Sequence, residues 1–265
     1  MITFQNYLKA ETLEEAYTLN QAKNNKIIGG MLWLRLGTAN YNTIIDISGL
    51  GLNSIEETDS EFKIGAMVTL RELELHQSLN EYTNNSICTA LKDIIGVQFR
   101  NLATIGGSIW GRFGFSDVLT VLLAFDSYVE LYKGGIVSLE EFSKMNYDND
   151  ILLNVIIKKK KSKCVYDAVR IQRTDFPVLT CATSLIEDEL RIVIGARPAK
   201  AIVYHDNSDI LKNNNKFSAE IISKYSNELS KNTPTSSNNR GSAEYRKKLV
   251  SVLTERCLTQ LGELL

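Results

Sequence analysis

Residues 100–117 have the sequence RNLATIGGSIWGRFGFSD, and this glycine-rich stretch is the feature of the chain that best indicates its fold. It contains Gly106, Gly107, Gly111 and Gly114, and glycine lets the backbone approach a ligand where a side chain would be in the way. Successive amides around a glycine pair can hold a pyrophosphate in one concavity. A nucleotide cradle and a tight turn between two strands, with Asp117 capping the next helix, are equally consistent with this stretch alone.

A second glycine pair, Gly29-Gly30, follows an apolar run in the segment IIGGMLW. Two such pairs favour the cradle, because a dinucleotide-sized ligand needs amides on both sides of its phosphates. Asp117, ten residues after Gly107, is a candidate acceptor for ribose or ribityl hydroxyls. A G-x-G-x-x-G motif that opens a helix is absent, which argues against a Rossmann dinucleotide site.

The composition is that of an ordinary globular protein of 265 residues, with 44% hydrophobic residues, 23% charged residues and a net charge of −1. This charge balance gives no indication of nucleic acid or of a membrane surface as a partner. Residues 1–10 lack the features of a signal peptide, and no apolar run approaches ~18 residues, so we expect a cytoplasmic protein. The four cysteines are dispersed, which predicts no zinc or iron–sulfur site on this chain.

Apolar periodicity and capping residues predict most of the secondary structure. Thr69 and Glu72 form a capping box, and His76 on the same helix is interpreted as an exposed polar residue rather than a flavin attachment point or base. In the N-terminal part we expect helices at residues 12–23, 69–79, 86–94 and 118–125, and strands at residues 26–28, 43–47, 62–68, 128–132 and 151–157. The strands at 26–28 and 43–47, with the glycine pair and a crossover between them, should form a small parallel unit.

The C-terminal part is predicted to contain three consecutive antiparallel strands, a polar stretch and two helices. The lysine-rich run at 158–163 is interpreted as a solvated hairpin tip, with a docking point for a partner subunit as the alternative. The last helix should begin after Ser242 and bury a stripe from Tyr245 to Leu261. The other predicted positions are strands at 168–173, 177–185 and 190–194, a helix at 219–229 within the polar stretch 205–239, and outward-facing Arg246, Lys247, Lys248 and Arg256.

The order of these motifs resembles the FAD-binding subunit of molybdenum hydroxylases, a family that includes the middle subunits of xanthine dehydrogenase and carbon monoxide dehydrogenase. The resemblance covers essentially the whole chain. It is most specific in RNLATIGG at 100–107 with Ser116-Asp117 downstream, and it extends through IGAMVTLREL at 64–73 to YRKKLVSVL in the last helix.

The resemblance implies an α+β chain with a vanillyl-alcohol-oxidase (PCMH)-type FAD-binding fold. Two α+β subdomains, at about 1–55 and 56–163, would form an FAD-binding domain over residues 1–163. Residues 164–265 would form a domain like the CO dehydrogenase flavoprotein C-terminal domain, with a three-stranded antiparallel sheet and helices.

The resemblance also implies which residues bind FAD. Asp117 would accept hydrogen bonds from hydroxyl groups of the cofactor, and no residue would act as a general acid or base. Three features depart from the family pattern: Met31-Leu32 replace a polar pair, Ser108 replaces asparagine, and residues 110–115 are aromatic and lack proline. Each lost side-chain hydrogen bond costs ~1 kcal/mol, or about fivefold in affinity. Backbone donors would come from Ile28, Gly29, Gly30, Met31, Leu32, Thr104, Ile105, Gly106, Gly107 and Ser108.

The implied function is electron relay in a xanthine dehydrogenase-like complex. A large subunit with the molybdenum cofactor and a small [2Fe–2S] subunit would be partners, and NAD or another acceptor would take the electrons. A self-contained flavin oxidoreductase and a flavin-free assembly subunit are the alternatives. The substrate would be chosen by another chain.

Four aromatic residues lie near the two glycine pairs in sequence: Trp33, Trp110, Phe113 and Phe115. We interpret them as packing residues, with coverage of the isoalloxazine ring as the alternative.

Overall fold

The computed structural model describes residues 1–206 and 218–265. The chain divides into two compact units, and each is described by itself. The first unit comprises Met1–Leu73, Val97–Gly111 and Ser127–Lys158, and the second comprises Glu74–Gly96, Arg112–Asp126 and Lys159–Leu265.

The described strands are β1 (Thr3–Lys9), β2 (Lys26–Ile28), β3 (Asn40–Asp46), β4 (Ile55–Glu57), β5 (Glu61–Gly65), β6 (Ser127–Leu131), β7 (Gly135–Ser138), β8 (Leu152–Lys158), β9 (Ser162–Arg170), β10 (Pro177–Ile186), β11 (Glu189–Gly195) and β12 (Ile202–Asp206). The described α-helices are α1 (Leu13–Asn20), α2 (Leu70–Leu75), α3 (Gln77–Tyr82), α4 (Ser86–Leu91), α5 (Val97–Arg100), α6 (Ile105–Gly111), α7 (Asp117–Leu123), α8 (Leu139–Lys144), α9 (Ala219–Asn232) and α10 (Ala243–Glu263).

The first unit contains a parallel sheet with the order β1-β3-β2 and an antiparallel sheet with the order β4-β5-β8-β6-β7. The predicted parallel unit is confirmed, because Ile28 in β2 pairs in parallel with Asp46 in β3. Helix α1 crosses between the first two strands and is capped by the Thr12 hydroxyl, which accepts from the Glu15 amide. This topology places Gly29 directly after a strand end.

The predicted helix over 69–79 is two helices. The capping box at its start is confirmed: the Glu72 amide donates to the Thr69 hydroxyl at 3.2 Å, and the Thr69 amide donates to the Glu72 carboxylate at 2.7 Å. His76 then interrupts the helix in an extended conformation, and its Nδ1 accepts from the Leu79 amide at 3.2 Å. His76 is half-buried rather than exposed and serves as the cap of α3.

The second unit is built on an antiparallel sheet with the order β12-β11-β10-β9. Strands β10 and β11 confirm the predictions at 177–185 and 190–194, whereas β9 begins at Ser162 and ends at Arg170 rather than spanning 168–173. Strand β12 is a fourth that sequence periodicity missed, since it is short and runs into the polar stretch. Residues 207–217 of that stretch lie outside the described residues. Helix α10 packs against β9 and β10 on one face of the sheet, and α9 packs against α10; Leu179, Cys181, Leu253 and Leu261 are among the buried side chains of this core.

The opposite face of this sheet is covered by α4 and α7. The Thr120 and Thr180 hydroxyls lie 3.1 Å apart between α7 and β10, and the Ser184 hydroxyl donates to the Ala124 carbonyl. Alternate residues of β10 therefore point to two different helical layers, which explains why almost the whole strand is buried.

The lysine-rich run is not a hairpin tip. It connects β8 to β9, and these strands belong to different sheets. Lys158 forms an ion pair with Glu61, and the Lys160 ammonium lies 3.0 Å from the Asp126 carboxylate. At least these two charges are engaged within the chain.

Arg246 was predicted to face outward on the last helix, and this is wrong. Its side chain is fully buried and donates through Nε to the Val178 carbonyl at 2.9 Å. Its other nitrogens donate to the Ser236 and Gly241 carbonyls and to the Asn238 side-chain oxygen. Helical periodicity missed this role because the acceptors come from segments distant in sequence or outside the helix.

We expect Arg246→Met to lower the free energy of unfolding by ~3 kcal/mol or more, because the substitution leaves several buried acceptors without donors. The measurement is the shift in thermal melting of the full chain. Lys248→Met is the matched control, since Lys248 is exposed on the same helix and should melt like the wild type. An unchanged melting temperature for Arg246→Met would contradict the prediction.

Across residues 1–206 and 218–265, none of the helices combines the length and the apolar character needed to cross a bilayer.

Candidate flavin nucleotide site

The two glycine turns meet in the first unit. A Cβ atom added to Gly30 would lie 1.8 Å from the carbonyl oxygen of Leu102, and one added to Gly29 would lie 2.6 Å from the hydroxyl oxygen of Thr104. Only residues without a side chain permit so close an approach of two backbones. The segments around residues 28–32 and 102–108, far apart in sequence, are therefore one contiguous structure.

The first turn presents a row of unused donors. Among the described residues, none accepts a hydrogen bond from the amides of Gly29, Gly30, Met31 or Leu32. Met31 has a φ of 60°, in the left-handed region, and Trp33 follows in the right-handed region. Consecutive amides in such a mixed conformation form the type of concavity that binds anions.

The second turn uses its amides differently from the sequence-based interpretation. The Ile105 amide donates to the Val68 carbonyl at 2.9 Å, and the Gly106 amide donates to the Ala66 carbonyl at 2.8 Å. A Cβ on Gly106 would lie 2.6 Å from the Ala66 carbonyl oxygen. Ile105 and Gly106 therefore dock the turn onto the residues that follow β5, and their N–H groups are already engaged.

Thr104 joins the two turns. Its hydroxyl accepts a hydrogen bond from the Gly107 amide at 3.2 Å. The same hydroxyl oxygen lies 2.6 Å from where a Cβ of Gly29 would be. Its carbonyl accepts both the amide and the hydroxyl of Ser108, each at 3.1 Å. The Thr104 side chain is thus a structural link, and it is buried.

Gly107 differs from the other three turn glycines. It is exposed, whereas Gly106 is buried, and a Cβ added to it would lie 3.2 Å from the Thr104 hydroxyl oxygen. This contact is tight, but it would need a shift of only a few tenths of an ångström, far less than at Gly30. Because Gly107 is exposed and has no side chain, a ligand can approach its backbone closely.

Downstream of the second turn, the glycine-rich stretch is partly helical. Residues 105–111 form α6, Arg112 adopts a φ of 43°, and α7 begins at Asp117. The cap of α7 is Ser116 rather than Asp117, because the Ser116 hydroxyl accepts from the Leu119 amide at 3.0 Å. In the second unit, Gly114 allows close packing against Ala199, whose carbonyl oxygen would lie 2.9 Å from an added Cβ.

Asp117 belongs to the second unit, where it is buried. Arg170 donates to its Oδ1 at 2.5 Å, and the Tyr166 hydroxyl donates to the same oxygen. Neither partner was predicted from the sequence, although strand alternation places residues 166 and 170 on one face of β9. Burial raises the pKa of Asp117 from its ordinary 3.8 to about 6, and the Arg170 charge and the Tyr166 hydrogen bond oppose this rise.

The raised pKa of Asp117 predicts a pH dependence of stability. Between about pH 4 and 6 the folded chain holds a proton on Asp117 that the unfolded chain releases, so the free energy of unfolding falls as pH rises through this window. Relative to the Asp117→Asn variant, the free energy of unfolding should fall by ~3 kcal/mol across this pH window. Thermal melting of both chains from pH 4 to 7 measures it, and parallel melting curves for the two would contradict the assignment.

The four aromatic residues singled out in the sequence all have aromatic neighbours. Two pairs lie in the first unit: Trp33 packs on Phe99 at 5.4 Å between ring centroids, and Trp110 packs on Phe142 at 5.8 Å. In the second unit the rings of Phe113 and Phe115 are stacked at 5.2 Å, and Phe115 also meets Phe176 edge to face at 4.6 Å. These contacts give each of the four a packing role.

Two family models match the chain in succession. The FAD binding domain in molybdopterin dehydrogenase matches residues 2–159, and the CO dehydrogenase flavoprotein C-terminal domain matches residues 165–261. Among curated proteins, the glyceraldehyde dehydrogenase medium chain of Sulfolobus acidocaldarius is 27% identical over 97% of this chain and 98% of that protein. The xanthine dehydrogenase FAD-binding subunit of Escherichia coli O157:H7 is 24% identical over 98% of this chain and 97% of that protein.

Solved structures share the fold. A chain of quinoline 2-oxidoreductase from Pseudomonas putida 86 superposes with a TM-score of 0.84 at 16% sequence identity, covering 98% of this chain and 97% of that one. The α+β fold class, with a PCMH-type FAD-binding domain and a C-terminal sheet domain, is thereby confirmed.

The two matched domains define an FAD-binding oxidoreductase component. The chain belongs to the flavoprotein subunit family of the molybdenum hydroxylases, as the resemblance implied.

Proposed function

We propose that this chain is the FAD-binding subunit of a xanthine dehydrogenase-like molybdenum hydroxylase, relaying electrons from the [2Fe–2S] clusters of a partner subunit to NAD or another acceptor. The observation that carries the proposal is the contact between the two glycine turns, with the unused amides of residues 29–32 beside the exposed Gly107.

The residues present fit a diphosphate. Four consecutive N–H donors without an acceptor among the described residues can bind an anion without any basic side chain. The replacement of a polar pair by Met31 and Leu32 leaves these main-chain donors in place. Gly107 leaves room on the side of its Cα that Thr104 does not occupy.

The proposed binding residues retain the sequence-based set, with different tasks within it. The amides of residues 29–32 would supply donors, and Ile28 ends the strand that positions them. Thr104 supports Gly107, and Ser108 holds the second turn through its two hydrogen bonds to the Thr104 carbonyl. Ile105 and Gly106 hold the second turn in place through their own hydrogen bonds. Asp117, with a carboxylate oriented by Arg170, is proposed as the acceptor for cofactor hydroxyls.

When bound, FAD would supply the electron-transfer chemistry that amino-acid side chains lack, while the protein binds and orients it. We assign no general acid or base, because an electron relay requires none. The molybdenum cofactor and the [2Fe–2S] clusters are proposed on partner chains. Two medium or FAD-binding subunits among the relatives, named for glyceraldehyde and xanthine dehydrogenases, support this division.

The test is the absorption spectrum and the released flavin of the chain, purified alone and with the products of its neighbouring genes. We expect a yellow protein that releases close to one FAD per chain, and electron transfer to an external acceptor only when the partner chains are present. A colourless complex that remains active would indicate a flavin-free assembly subunit. Turnover of a small substrate by the isolated chain would indicate a self-contained oxidoreductase, and either result would contradict the proposal.

A further inference from the structure

An aromatic contact accompanies the meeting of the two glycine turns. Trp33 directly follows the first turn, and Phe99 lies in α5, just before the second turn. Their rings are tilted by 58° with centroids 5.4 Å apart. The pair therefore links the same two segments that the glycines link.

Phe99 is tied to the second turn through its backbone. Its carbonyl accepts from the Ala103 amide at 2.8 Å and from the Leu102 amide at 3.1 Å. Leu102 in turn supplies the carbonyl oxygen against which Gly30 packs. A displacement of Phe99 would thus shift the surface on which the first turn rests.

The first turn is held at two points. The backbone contact at Gly30 fixes its position, and the ring contact at Trp33 fixes its orientation about that point. Between them lie Met31 and Leu32, whose amides have no acceptor among the described residues. A ligand that uses these donors gains affinity when they are already oriented, because less conformational entropy is lost on binding.

We propose that Trp33 and Phe99 are positioning residues for the flavin nucleotide: their ring contact orients the first turn so that the amides of residues 29–32 face the diphosphate. This inference rests on the proposed function. The two residues act through the turn, and their effect does not require that either ring touch the cofactor.

The test compares FAD dissociation constants for variants of the full-length chain. Trp33→Leu should raise the dissociation constant two- to tenfold, the range expected for loss of an aromatic pair. Trp33→Phe retains an aromatic ring and should restore most of the affinity. Tyr17→Leu is the matched control, because it removes the Tyr17–Tyr132 pair, tilted by 51° at the same 5.4 Å, elsewhere in the first unit.

A double-mutant cycle gives a second measurement. If the rings act as a pair, Phe99→Leu should weaken binding like Trp33→Leu, and combining the two should add little further. Full additivity would contradict the proposal, as would an equal loss of affinity in Tyr17→Leu. An unchanged dissociation constant in Trp33→Leu would overturn this inference alone, whereas absence of FAD binding in the wild type would overturn the proposed function.

Discussion

Gly107→Asp is expected to abolish FAD binding while leaving the fold of the first unit intact. The residue is exposed, and an added Cβ would lie 3.2 Å from the Thr104 hydroxyl oxygen, so a shift of a few tenths of an ångström should accommodate the substitution. Its carboxylate would stand close to the proposed diphosphate. Two like charges ~4 Å apart near a protein surface repel by about 4 kcal/mol, which corresponds to a loss of affinity on the order of a thousandfold.

The measurement is FAD content after purification, together with thermal melting of the cofactor-free chain. Gly107→Ala is the control, because it adds the same Cβ without the charge and should reduce binding only mildly. Retention of the full flavin complement in Gly107→Asp would show that the diphosphate lies elsewhere.

Gly30→Ala is expected to remove FAD for a different reason, namely separation of the two turns. The new Cβ would lie 1.8 Å from the Leu102 carbonyl oxygen, which is main chain and cannot rotate away. The turns must move apart, which should destabilise the chain by about 3 kcal/mol and lower the affinity for FAD at least a hundredfold.

Gly37→Ala is a suitable control for this second substitution. Gly37 lies in the same segment with a φ of −73°, and an added Cβ would come no closer than 3.2 Å to the Leu34 carbonyl oxygen. The free chain should melt at a lower temperature for Gly30→Ala and close to the wild-type temperature for Gly37→Ala and Gly107→Asp. A wild-type melting temperature and full flavin content in Gly30→Ala would refute the contact between the turns.

Much of the fold was predictable because local chemistry determined it. The apolar run before Gly29, the parallel unit that follows and the capping box at Thr69 each depend on residues close in sequence. The proximity of the two glycine-containing turns was inferred from their common pattern, and in the structure Gly29 and Gly30 lie against Leu102 and Thr104. The family assignment is confirmed by matches that together cover most of the chain.

The features that sequence analysis missed depend on contacts between distant segments. The periodicity of the last helix could not show that Arg246 finds acceptors at Val178 and around residue 238. The glycine pattern could not show that the amides of Ile105 and Gly106 are engaged by residues 66–68. Likewise, Asp117 is followed only much later by Arg170, so its buried ion pair had no local indication.

The most direct test of the account is an experimental structure of the FAD-loaded complex. We predict that the amide nitrogens of residues 29–32 lie about 3 Å from the diphosphate oxygens, with the diphosphate beside the exposed Gly107 and the two turns in contact. A diphosphate bound by other residues, with the amides of the first turn facing solvent, would contradict it.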